Sequence, residues 1–240
     1  MTPMKLLEIT WGVKMKHPNP SGYRGTWGTS AIVIPKTYLK AALILLVTGA
    51  DRLKQKNVVK QICESQKNKS RKTLENTITR ALVREVQKEQ DKYSIHTEPH
   101  SKNLIHDCED IEYSEIDIKF IWDDYLPNVY LAVEAKLLYG TRSSLAGDYV
   151  EKGVMDFINR KYSWGHDHGI MAGYVLVAPI KKAISSVENA LKKRKDETNE
   201  TSPFDEDKFI DYPLLFNSVH KQENNGREIK ILHIFFDFAS

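Results

Sequence analysis

Asp117 on one expected strand and the string Glu134-Ala135-Lys136 on the next are the residues of this chain best equipped for chemistry. Two carboxylates held side by side bind a hard divalent cation such as Mg²⁺, for which Mn²⁺ can substitute. An ammonium beside them can orient or help deprotonate a water and balance charge in a transition state. Together they are the groups that hydrolysis of a phosphodiester needs, because the cation polarises the phosphate and lowers the pKa of a bound water.

The elements that would position these groups can be read from alternation. In 116–121, Asp117 and Lys119 point one way, and Ile116, Ile118 and Phe120 point the other. In 130–137, Leu131, Val133, Ala135 and Leu137 share one face, and Glu134 and Lys136 share the opposite one. Antiparallel pairing of the two strands lets the polar faces meet. Glu-x-Lys by itself is uninformative, since average usage gives roughly one copy by chance in such a chain. Three occur here, beginning at Glu134, Glu206 and Glu228. Glu206 falls in a stretch that reads as a solvated loop, and no helix follows the strand begun by Glu228. Only Glu134 has a carboxylate-bearing strand before it and an amphipathic helix after it.

This order resembles the PD-(D/E)XK nuclease superfamily, the restriction-endonuclease-like fold. Its pattern is a helix carrying a Glu, a hairpin carrying Asp and then Glu-x-Lys, a second helix and a further strand. The resemblance covers residues 71–179, with Ile116 where the family nominally has proline. It implies an α/β fold: a restriction-endonuclease-like core with a mixed central sheet flanked by helices, plus N-terminal helical and C-terminal β-hairpin elaborations. It also implies Mg²⁺ held by Asp117, Glu134 and the backbone carbonyl of Ala135, with Lys136 serving the attacking water. The family's helical Glu precedes most of the apolar stripe Leu74, Ile78, Ala81, Leu82 and Val86, which favours Glu75 over Glu85. Glu75 would complete the first metal site or hold a second ion. The helix after Glu-x-Lys often contacts substrate phosphate in the family, making Tyr149, Lys152, Arg160 and Lys161 candidates. Arg71, Lys72, Lys119 and Arg142 complete the expected nucleic-acid surface. The implied activity is endonucleolytic cleavage of DNA in bacterial or phage restriction or antiviral defence. A metal-dependent RNase and a silent nuclease-fold module that binds nucleic acid or a partner remain alternatives. A homodimer or a partner subunit would supply targeting.

The rest of the chain frames this core. The expected organisation is an N-terminal elaboration over 1–70, a core over 71–195 and a C-terminal hairpin over 207–240. The glycines of 22–30 lack a following Gly-Lys-Ser/Thr and read as a turn rather than a phosphate cradle. A buried helix is expected over 38–48, ending near Gly49. Basic residues gather over 51–92, either as solvated helix faces or as a phosphate-contacting surface. An edge strand is expected over 93–98, then an acidic loop with Asp107, Glu109, Asp110 and Glu112. A helix is expected over 145–162, an apolar strand over 170–177 and a basic-ended helix over 180–194. A polar linker over 195–206 leads to a hairpin around Asn224-Asn225-Gly226. In Trp164-Gly165-His166-Asp167-His168 the two histidines lack a third neighbouring ligand, which weighs against zinc.

Bulk properties fit a globular cytoplasmic protein without a membrane partner. The chain has 240 residues, 41% of them hydrophobic, and a net charge of +3, so nucleic-acid binding would need a local patch. Its two cysteines, Cys63 and Cys108, form no Cys-x-x-Cys, and no signal-peptide layout opens the sequence.

Overall fold

Apolar periodicity and local caps set the helices. The computed structural model describes residues 32–104, 113–122, 129–159, 161–163, 165–223 and 226–239, leaving aside the side chains of 102–104 and 113–114. Helix α1, Lys36–Gln55, begins after Pro35, and α2 spans Val58–Ser65. Helix α3, Arg71–Gln87, is capped by Ser70, whose hydroxyl accepts the Thr73 N–H at 3.1 Å. Ile78, Leu82, Val83 and Val86 of α3 are buried against α1. The expected end of α1 near Gly49 is corrected: the helix continues two further turns. Gly49 serves packing, because a Cβ there would stand 3.0 Å from Leu82 Cδ1 and 3.2 Å from Val86 Cγ2. The absent side chain lets α1 and α3 close on each other.

Among the described residues seven strands form one mixed sheet: β1 Ile95–Leu104, β2 Tyr113–Trp122, β3 Tyr130–Tyr139, β4 His168–Val177, β5 Glu200–Glu206, β6 Leu215–Lys221 and β7 Glu228–Asp237. Their order is β1-β2-β3-β4-β7-β6-β5. β1/β2 and β2/β3 are antiparallel, β3/β4 and β4/β7 parallel, and β7/β6 and β6/β5 antiparallel. β3 alternates as its sequence requires. Leu131, Val133, Ala135 and Leu137 join α1 and α3 in one core, and Tyr130, Ala132 and Leu138 join the other core under the helices that follow. Each fully buried side chain such as Phe120, Trp122 or Phe235 contributes roughly 1.5–3 kcal/mol.

The segment after β3 differs from the single helix expected over 145–162. Helix α4, Ser144–Tyr149, widens into a π-type turn, Val150–Val154, and resumes as α5, Met155–Ile158; Tyr162 lies beyond it. Close packing explains the irregularity: a Cβ on Gly153 would stand 2.4 Å from Met171 Cε and 3.8 Å from Lys136 Cε. Helix α6, Ile180–Lys193, packs Ala183, Val187 and Leu191 on the same side. The expected polar linker over 195–206 is also corrected, because Glu200–Glu206 is the edge strand β5. An edge strand exposes one face and one row of backbone groups, so a polar sequence suffices. Of the expected N-terminal elaboration, α1 and α2 pack in the same core as α3, while residues 1–31, including the 22–30 glycines, lie outside the described residues.

Candidate active site

The site forms where β2 leaves β3. Their ladder runs from Ile121↔Tyr130 to Ile118↔Val133 and stops there. Had it continued, Asp117 would stand opposite Glu134. Instead β3 goes on alone on this side, and two carboxylates take the donors it would have given a neighbouring strand. Ala135 N donates to Asp117 Oδ2 at 2.8 Å, and Leu137 N donates to Glu75 Oε2 at 2.8 Å. Glu75 comes from α3, Asp117 from β2, and Glu134 and Lys136 from β3, so three elements converge.

Lys136 sits among them. Its Nζ forms a short ion pair with Glu134 Oε1, donates to the Ala135 carbonyl at 3.2 Å and lies 3.9 Å from Glu75 Oε1. Both Asp117 and Glu134 are buried, and only one-seventh of the Glu75 and Lys136 side chains is exposed. Burial pushes the carboxyls of Glu75 and Asp117 above the usual carboxylate range, against the pull of Lys136. Glu134 is raised furthest, first by burial and then by the negative charge of Asp117. Burial alone would depress the Lys136 amine. The charges of Glu134, Glu75 and Asp117 outweigh it and hold the ammonium above its ordinary value.

A fit for Mg²⁺ can be judged from the donors. Glu134 Oε2 is buried and completes no hydrogen bond among the described residues, and an orphaned buried carboxylate oxygen is costly without a cation or donor. Asp117 Oδ1 is the oxygen that Ala135 does not use. Among the described residues no three Asp, Glu, His or Cys side chains form a closed ligand cluster. Mg²⁺ does not require one, because it keeps several waters and commonly binds through one or two carboxylates plus substrate phosphate. The donor set therefore fits through Asp117 and Glu134. The Ala135 carbonyl faces Lys136, and Glu75 is engaged by Leu137.

Two further residues border the set and escaped the sequence reading. Tyr162 is buried and donates its hydroxyl to the Glu115 carbonyl at 2.8 Å. Its acidity is suppressed by burial and then by the charge of Glu134. His100 on β1 lies 3.8 Å from Asp117 Oδ1 through its Nδ1. No local signal marks His100, one of two histidines on a polar edge strand.

The expected nucleic-acid residues are spread unevenly. Arg71 and Lys72 are exposed at the start of α3, with Arg71 Nη1 3.8 Å from Asp148. Lys119 lies over the Tyr130 ring at 4.8 Å, and exposed Arg142 lies over Tyr139 at 5.8 Å. Lys152 pairs with Asp148 and Lys161 with Asp156, each at 2.8 Å. Tyr149 is a correction: it is fully buried, stacks on Phe235 and bonds His233 Nδ1 at 3.1 Å, so it cannot touch a substrate backbone. Arg160, Trp164, Cys108 and the acids of 107–112 lie outside the described residues.

The rival residues take other work. Glu85 binds Lys88 at 2.7 Å and Lys56 at 3.1 Å. Glu228 is exposed and accepts the Thr201 hydroxyl, and Lys230 pairs with Asp207 at 2.7 Å. His166 is buried beside the Tyr130 ring, its Nε2 3.4 Å from Tyr130 N. Within the basic stretch, Arg52 and Lys92 both bind Glu89, so part of that charge is neutralised locally. No protein-family model, curated protein or solved structure matches this chain.

Proposed function

We propose that this protein is a Mg²⁺-dependent endonuclease that hydrolyses DNA phosphodiester bonds on a restriction-endonuclease-like core. The observation that carries the reading is the orphaned Glu134 Oε2 inside a buried group of three carboxylates and one ammonium. With all four ionised, Glu75, Asp117, Glu134 and Lys136 sum to two uncompensated negative charges, which one divalent cation offsets. Connectivity supports it: α3 bearing Glu75, antiparallel β1, β2 and β3, the α4–α5 crossover and parallel β4 follow in the order the reading requires.

Asp117 Oδ1 and Glu134 Oε2 would hold the ion, which supplies Lewis acidity at the phosphate and a more acidic water. Lys136 then has two tasks: to stay charged beside the phosphate oxygens and to orient the attacking water. Glu75 and the second oxygen of Asp117 hold the β3 backbone at Leu137 and Ala135, which keeps Glu134 and Lys136 aimed at one point. The exposed cations Arg71, Lys72, Arg142 and Lys152 are the phosphate-contact candidates nearby.

A non-cutting module that binds nucleic acid or a partner is the second reading. It is favoured by Lys136, which already engages Glu134 and the Ala135 carbonyl and so supplies an internal counter-charge. One assay separates them. Supercoiled plasmid, linear duplex, single-stranded DNA and RNA are incubated with wild type and Lys136→Ala in EDTA, Mg²⁺ and Mn²⁺. Metal-dependent DNA cleavage lost in the variant is the expected result. Cleavage of RNA alone reassigns the substrate, and no cleavage of any polymer sinks the enzymatic reading.

A further inference from the structure

His100 stands directly opposite Asp117. The β1/β2 register pairs Pro99 with Ile118 and Ser101 with Ile116, which leaves His100 and Asp117 facing each other without a ladder pairing of their own. The reason is local: His100 has φ +48°, a left-handed conformation that non-glycine residues adopt only at a cost. Directly opposed residues on antiparallel strands carry their side chains on one face, close enough to touch. The imidazole is only one-tenth exposed, with Nδ1 2.9 Å from Glu115 Oε1 and 3.8 Å from Asp117 Oδ1. Among the described residues neither ring nitrogen completes a hydrogen bond of good geometry.

Nothing in the sheet calls for a histidine there. β1 is the edge strand, and Asn or Gly would accept the left-handed backbone with less strain. A strained backbone and a buried ring that completes no hydrogen bond among the described residues are a double cost, and they coincide at the residue facing the Asp117 oxygen that Ala135 leaves over. Residues that border a ligating carboxylate fix its orientation, and their loss weakens metal binding 10–100-fold in typical sites.

We propose that His100 is a positioning residue for Asp117. Its ring closes the side of the carboxylate away from β3 and keeps Oδ1 directed at the cation. This inference rests on the nuclease reading above, and it assigns the bulk of the effect to metal affinity and turnover rather than to substrate binding.

The test uses the full chain stripped with EDTA. Mg²⁺ alone is titrated by calorimetry into wild type, His100→Ala, His100→Asn and Asp117→Ala, and kcat, KM and Tm are measured beside it. His100→Ala should bind Mg²⁺ roughly tenfold or more weakly and lose kcat, with KM for DNA and Tm near wild type. His100→Asn should recover most of the affinity, because its amide nitrogen occupies the Nδ1 position and Asn tolerates φ +48°. Wild-type Mg²⁺ affinity in His100→Ala, with affinity lost in Asp117→Ala, overturns the role of His100 and leaves the nuclease reading standing. Equal losses in the Ala and Asn variants, accompanied by a fall in Tm, make His100 structural and also overturn it. A wild type that neither binds Mg²⁺ nor cuts overturns both.

Discussion

Glu75 on α3 accepts the backbone N–H of Leu137 on β3 at 2.8 Å, although 62 residues separate them. With Ala135 and Asp117 two residues earlier, this bond replaces the strand that β2 ceases to provide. Glu75 and Asp117 therefore have a structural duty beside the chemical one proposed for the site. Their removal has consequences for stability that can be given a sign.

Glu134→Gln should abolish metal-dependent cleavage while leaving Tm in EDTA equal to or above that of wild type. Burial raises the Glu134 carboxyl above its unfolded value, so its ionised form costs stability at neutral pH. That contribution is favourable below the unfolded pKa and is lost as pH rises through the folded one. Thermal melts from pH 5 to 8 in EDTA should show a smaller decline for the variant than for wild type. A variant several degrees less stable at pH 8 would contradict this.

Lys136→Met should be unstable without metal and rescued by it. The variant leaves Glu75, Asp117 and Glu134 buried with no ammonium among them, a loss of about 3 kcal/mol. For a chain of this size that is roughly a 6–12 °C fall in Tm. Saturating Mg²⁺ should raise Tm more in the variant than in wild type, and cleavage should stay low. An Mg²⁺ response no larger than that of wild type would count against a cation site at these carboxylates.

Glu75→Ala and Glu85→Ala should part company. The first removes the acceptor of Leu137 N and should reduce cleavage strongly. The second frees Lys56 and Lys88, both more than half exposed, and should cost less than about 1 kcal/mol with activity retained. Glu228→Ala, which loses only an exposed contact with Thr201, should behave like Glu85→Ala. Cleavage assays and melts of the three variants together check the assignment of the helical Glu.

Acid should loosen the opposite half of the sheet. Tyr149 O–H, His233, Ser218 and His220 form a buried chain of hydrogen bonds ending on the Thr198 carbonyl. That carbonyl only accepts, so His220 Nδ1–H donates to it; with both imidazoles held neutral by burial, Ser218 donates to His220 Nε2, His233 Nε2–H to Ser218, and Tyr149 to His233. Burial lowers His220 to about 4 and His233 well below its ordinary value. A depressed folded pKa means stability is complete above 6.5 and is lost as pH falls toward 4, by about 3 kcal/mol for His220. His220→Asn should be less stable at pH 7 and show a shallower loss of Tm between pH 6.5 and 4. Equal slopes would refute the assignment.

Much of this was legible in the residues. Strands β3, β4 and β7 alternate or run apolar as buried strands must, and Glu134-Ala135-Lys136 differs from its two rivals in its flanking elements. The misreadings share a cause. Gly49 read as a helix end because its packing partners on α3, Leu82 and Val86, lie more than 30 residues on in the chain. Tyr149 read as a phosphate contact because the resemblance gives that role to the helix after Glu-x-Lys, which says nothing of what covers each of its residues, here His233 and Phe235. The polar 200–206 segment read as linker because an edge strand needs no apolar alternation.

The sequence by itself determined which residue types could bind a cation and, on β3, the face on which each stands; on β2 the expected common face divides, with Ile118 and Phe120 in the core of α1 and α3 and Ile116 in the other. Only the tertiary structure decided that β2 and β3 part beyond the Ile118↔Val133 pair, that Glu75 and Asp117 take the N–H groups so exposed, and that His100 faces Asp117. Register and strand divergence arise from the packing of the whole sheet against its helices. A hydrogen bond across 62 residues has no signature in the spacing of either partner.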